Sequence, residues 1–134
     1  MLRKQVRDFV KDRVPHVPGS QLIRGVPLNP AAGQIVVSAP EEAFDEDVSI
    51  SAGREIWTIE ADVTIYLSIV NAVIEDEIDQ VLETVATAIE ADENHPFLDF
   101  HRTRLITEID AELDAPLAMG TITYSVMIEK GEVE

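Results

Sequence analysis

The chain has 134 residues, 46% of them hydrophobic, and a formal charge of −16 at pH 7. This length predicts one domain, able to bury roughly 65–70% of its unfolded surface without covalent staples, and the ordinary apolar content separates the acidity from disorder. The absence of cysteine excludes disulfides, thiol nucleophiles and cysteine-ligated zinc.

No apolar run approaches the roughly 18 residues that span a bilayer. The basic start leads into an amphipathic stretch with neither the apolar core nor the cleavage site of a secretory leader. The expectation is a soluble protein made in a reducing cytoplasm.

Six of the ten Lys/Arg residues fall within the first 24 positions: Arg3, Lys4, Arg7, Lys11, Arg13 and Arg24. That segment carries about +4, which leaves about −20 on residues 25–134. Residues 2–14 space Leu2, Val6, Phe9, Val10 and Val14 as one helical stripe, and Pro15 and Pro18-Gly19 end the helix. Its cations can offset the acidic body or dock against an acidic neighbour. Phosphate binding is the weakest reading, because the acidic body opposes it.

Residues 15–33 hold four prolines and three glycines and read as a connector. Residues 34–39 form a short β-run. Between 40 and 53 the carboxylates Glu41, Glu42, Asp45, Glu46 and Asp47 repel one another, so residues 39–54 are expected to form a mobile loop. Calcium ligation by Asp45-Glu46-Asp47 lacks the glycine and the closing glutamate of an EF-hand.

Residues 54–69 alternate Trp57, Ile59, Ala61, Val63, Ile65, Leu67 and Ile69 with polar or wet positions, predicting a strand with one buried face. At roughly 3.3 Å per residue it would reach about 50 Å, so it must bend, bulge or project. A helix follows over 71–92, with an apolar stripe through Val73, Ile74, Ile78, Val81, Leu82, Val85, Ala88 and Ile89.

Asn94-His95-Pro96 breaks that helix. Two strands are predicted over 102–115 and 118–129, joined by a turn at 114–117, before a charged tail at 130–134. The order α-β-β-α-β-β gives an α+β domain spanning the chain, with a mostly antiparallel sheet of about four strands and two helices.

The chemistry of catalysis is hard to find. His95, Asp99 and His101 have no recognised metal-ligand spacing. There is no Gly-x-Ser-x-Gly and no phosphate-cradling glycine loop. Carboxylates on a wet strand face share one environment and lack the contrast that splits an acid from a base. No catalytic, cofactor or metal residue is assigned. The distinctive feature is Glu60 and Asp62 on one strand and Glu108, Asp110 and Glu112 on the next. If those strands were neighbours, five carboxylates would share one surface at a cost in stability.

The pattern of the whole chain resembles the tail terminator (tail completion) proteins of long-tailed bacteriophages, of the lambda minor tail protein U type. The resemblance lies in the basic N-terminal helix, the Pro/Gly connector, the strand Gln34-Ile35-Val36-Val37-Ser38 and the Trp57 strand. It continues through the helix around Glu77-Ile78-Asp79-Gln80-Val81-Leu82 and the terminal Gly120-Thr121-Ile122-Thr123-Tyr124.

It implies a non-enzymatic ring subunit, usually of a hexamer, that caps the head-proximal end of the tail tube, ends tail polymerisation and joins tail to head. The implied partners are further copies of the chain, the tail tube protein, a head–tail connector or stopper and, in a contractile tail, the sheath. The implied place is the neck of the virion, after assembly in the host cytoplasm.

On this resemblance Arg3, Lys4, Arg7, Lys11, Glu41, Glu42, Asp45, Glu46 and Asp47 would contact partners. Glu60, Asp62, Glu108, Asp110 and Glu112 would face a lumen through which DNA passes without specific binding. A connector or stopper ring, and a small acidic metal-binding protein or enzyme, are the alternatives.

Overall fold

Strict alternation after Trp57 builds the centre of a sheet. A computed structural model describes residues 2–17, 19–23, 25–27, 31–44, 53, 55–68, 74–91, 94–110 and 117–130. Their order is helix α1 (Leu2–Arg13), strands β1 (Gln21–Leu22), β2 (Gln34–Phe44) and β3 (Ile56–Ser68), helix α2 (Ile74–Glu90), then β4 (Asp99–Asp110) and β5 (Leu117–Glu129). The sheet runs β1-β2-β3-β5-β4; β1 is parallel to β2 and the other pairs are antiparallel. The α+β class therefore holds, with two helices among the described residues. The sheet is mixed and has five strands where about four were expected.

The added strand comes from the connector. Gln21 N donates to Gly33 O at 2.7 Å, Ile23 N to Ile35 O at 3.0 Å, and Gly33 N to Tyr66 O at 2.8 Å. Gly33 sits at φ 81°, and a Cβ there would lie 2.9 Å from Gly19 O. Both the backbone conformation and the close approach call for glycine. A two-residue strand is too short to leave a periodic signal.

A larger correction concerns residues 39–44, which were expected to begin a mobile loop. They belong to β2, which pairs as Glu41↔Glu60, Glu42↔Ile59, Ala43↔Thr58 and Phe44↔Trp57 beyond a register shift between Ser38 and Glu41. Pro40, which cannot donate to a ladder, lies inside that shift. At the far end Phe44 meets Trp57 edge to face, with ring centroids 5.2 Å apart. Backbone pairing and this aromatic contact outweigh the charge of the stretch. Asp45, Glu46, Asp47 and the remainder of 45–52 lie outside the described residues, as does Arg54.

Strand β3 does not project alone. All 13 of its residues pair with the 13 of β5, from Ile56↔Glu129 to Ser68↔Leu117. Ile59, Ala61, Val63 and Ile65 are buried on the face they share with Ile122, Tyr124 and Val126. Leu2, Val6 and Val10 from α1, and Ile74, Ile78, Leu82, Val85, Ala86 and Ile89 from α2, complete one continuous core on that face. Ala86 joins the expected stripe, whereas Val81 is only partly buried. Val73 and Ile69 lie outside the described residues.

The β4 strand begins at Asp99, three residues before the expected start, so His101 lies in a strand and not in a loop. A register shift between Arg102 and Arg104 moves the alternation by one place. Phe100 and Arg102, then Leu105, Thr107 and Ile109, consequently share the helix-bearing face. Helix α2 packs across β5, which leaves Leu105 and Ile109 at the sheet edge 43% and 46% exposed.

Candidate functional site

The sheet divides the molecule into a helix-covered face and a face on which no described helix packs. Cross-strand pairs Glu41↔Glu60 and Ser38↔Asp62 place three carboxylates of β2 and β3 together on the second face. Asp62 Oδ1 accepts a 2.8 Å hydrogen bond from Thr123 Oγ1 on β5, and Thr123 is buried beneath this layer. Desolvation pushes the Glu60 carboxyl above its ordinary range; the charges of Asp62 and Glu41 add to this and Arg104 opposes it. A shallow hollow of about 330 Å³ opens here between Glu41, Ala43, Thr58, Glu60, Thr103 and Ser125.

The predicted five-carboxylate surface is not assembled as expected, because β3 and β4 are not neighbours: β5 lies between them. The registers align Glu108 with Met119 and Tyr66, whereas Asp62 aligns with Thr123 and Arg104. Arg104, missed by sequence reasoning, thus enters the row of Asp62. The shift at Arg102–Arg104 that places it there has no signature in the residue pattern. Asp110 closes β4, and Glu112 lies outside the described residues.

The predicted basic contacts sit on α1, whose residues Lys4, Arg7 and Lys11 flank a groove of about 620 Å³ together with Val26, Ser38 and Pro40. Lys4 Nζ donates to Asp8 Oδ2 at 2.8 Å; this bond and the nearby cations lower the Asp8 pKa. Arg3 is half-buried, and its Nε is shielded from solvent without a hydrogen-bond partner among the described residues. It is less available to a partner than its sequence position suggested. Glu41 and Glu42 are exposed on β2.

A second groove, of about 630 Å³, lies between α2 and β4. Leu82, Ala86 and Leu105 supply apolar lining; Asp79, Glu83 and Glu90 supply carboxylates. Glu90 Oε2 accepts from the Tyr124 hydroxyl at 3.1 Å, and its Oε1 lies 3.6 Å from Arg102 Nη2. Burial, reinforced by the Glu90 charge, raises the Tyr124 pKa strongly. The phenol is held as a donor that ties α2 to the sheet.

The histidines take separate roles. His95 Nδ1 accepts from Phe97 N at 3.2 Å, and its ring stacks on Phe97 at 5.9 Å. His101 Nδ1 lies 2.6 Å from Asp99 Oδ2. Among the described residues, no group of three or more His, Asp or Glu is placed to hold a metal ion. No described helix is long and apolar enough to cross a membrane.

No protein-family model matches the sequence, and no curated protein matches it significantly.

Proposed function

We propose that the protein is a phage tail-terminator ring subunit, capping the head-proximal end of the tail tube and presenting the surface that joins tail to head. The observation that carries this reading is the sheet face bearing Glu41, Glu60 and Asp62, opposite the face on which both helices pack. An isolated domain gains only solubility from setting Glu41 and Asp62 beside Glu60, whose carboxyl is raised by desolvation and by their charges. A ring gains a wall that repels the phosphates of passing DNA and does not hold them.

The resemblance in element order and the basic N-terminal helix add support. On this reading Glu60 and Asp62 face the lumen together with Glu41, which its pairing with Glu60 moves here from the expected partner contacts, and Glu108 lies further along the same face; DNA passes without specific contacts. The partners are other copies, the tail tube protein and the connector or stopper. A sheath is a further neighbour if the tail contracts.

Electron microscopy of particles assembled with and without the protein tests the proposal. Loss should give tubes of uncontrolled length that fail to join heads, and antibody label should mark the neck of complete particles. Normal joined tails without the protein would overturn it. Filled heads that leak DNA, with tubes of normal length, would instead identify a connector or stopper.

A further inference from the structure

The two grooves lie toward opposite edges of the sheet and differ in net charge: Lys4, Arg7 and Lys11 outnumber Asp8 in one, and Asp79, Glu83 and Glu90 outnumber Arg102 in the other. Helix α1 packs over β2 and β3, whereas α2 packs over β5 beside the β4 edge. On α1, Lys4, Arg7 and Lys11 follow i, i+3, i+7 spacing and form one ridge along the helix. Helix α2 (IEDEIDQVLETVATAIE) contains six carboxylates and no cation, of which Asp79, Glu83 and Glu90 border the α2–β4 groove. Arg7 and Lys11 are four residues apart, as are Asp79 and Glu83. Lys4 and Lys11 are seven apart, as are Glu83 and Glu90, or about 10.5 Å along a helix.

Apolar groups accompany the charges on both sides. Val26, 70% exposed, lies beside the basic ridge, and Leu105, 43% exposed, lies in the acidic groove. An exposed apolar edge strand such as β4 is itself a contact that soluble proteins ordinarily cover or block.

We propose that the occupant of the α2–β4 groove is the α1 ridge of a second copy of this chain. The contact is heterologous: different surfaces meet, and each copy keeps one ridge and one groove unused until the next copy arrives. Such a contact propagates head to tail and closes into a ring when its rotation permits. The inference rests on the ring reading only in that the partner is another copy; it assigns the surfaces that meet. It also explains why cations are concentrated on α1 in a chain that is otherwise strongly acidic.

Charge exchange tests it, with sedimentation velocity of the full-length chain as the readout. Lys4→Glu/Lys11→Glu gives an acidic ridge facing an acidic groove, and Asp79→Lys/Glu83→Lys gives a basic groove facing a basic ridge. Each variant alone should self-associate on the order of 100-fold more weakly than the wild type. Mixing the two should restore assembly in alternating order, and combining all four substitutions in one chain should restore it again. Lys4, Asp79 and Glu83 are exposed, and thermal melts of each variant check that folding is intact.

Wild-type rings that persist in both single-surface variants would overturn this interface and leave the ring reading standing. A wild type that remains monomeric at its highest soluble concentration and at tube ends would overturn both.

Discussion

The Arg13 guanidinium on α1 donates to the Ile89 carbonyl at the end of α2 across 3.1 Å. It also donates to Asn94 O at 2.7 Å and lies 4.2 Å from the centre of the Phe9 ring. One cation therefore joins the C-terminal ends of the two helices, where carbonyls lack intrahelical partners and a positive charge is favoured.

Arg13→Ala should consequently destabilise the protein by about 1–3 kcal/mol, the range for charge-assisted hydrogen bonds plus a cation–π contact. Arg13→Lys should recover only part of this, since an ammonium cannot reproduce the planar fork. Urea denaturation would measure both variants. Stability equal to wild type in Arg13→Ala would show that the clasp contributes nothing.

Glu60 provides a pH signature. Its folded pKa is raised, so its contribution is fully present below the unfolded pKa of about 4.3 and is lost as pH rises through the folded value. At pH 7 its charge is a cost. Glu60→Gln should therefore raise stability at pH 7 by up to about 1 kcal/mol, the scale of a like-charge cross-strand pair, with the gain vanishing near pH 4. Thermal melts at the two pH values read the difference, and an equal effect at both would exclude the desolvated, repelled charge of Glu60 as its cause.

Gly120 lies directly beneath Leu82: a Cβ at Gly120 would come 2.7 Å from Leu82 Cδ1. Gly120→Ala should cost roughly 1–3 kcal/mol through overpacking, and Leu82→Ala roughly 2–5 kcal/mol through the cavity it leaves. The double variant should cost less than the sum, because the new methyl occupies part of the space vacated. A double-mutant cycle measures this coupling; strict additivity would contradict the contact.

Salt should favour assembly at first. Each copy carries −16, and raising ionic strength from 0.01 to 0.15 M shortens the Debye length from about 30 to about 8 Å. Repulsion between whole subunits is then screened, while ridge and groove charges at contact distance are screened less. Sedimentation should show larger assemblies over this range. Dissociation with rising salt would reject repulsion as the limit on self-association.

The sequence alone determined the elements whose periodicity is long and clean. The Val6–Val10 stripe, the alternation from Trp57 to Leu67 and the stripe from Ile74 to Ile89 each bury one face whatever their neighbours are, so their residues declare helix or strand. The separation of cations onto the first helix was equally visible, because charge follows from residue identity. The tertiary structure decided what depends on register and adjacency. Backbone pairing with β3 drew Glu41 and Glu42 into a strand despite their charge, and the shift at Arg102–Arg104 brought Arg104 into the row of Asp62.

Strand order placed β5 between the two acid-bearing strands and left β4 exposed beside α2. Hydrogen-bond ladders are satisfied by backbone groups common to nearly every residue, so the side-chain pattern could not reveal which strands would meet. That adjacency separated the basic ridge from the acidic groove.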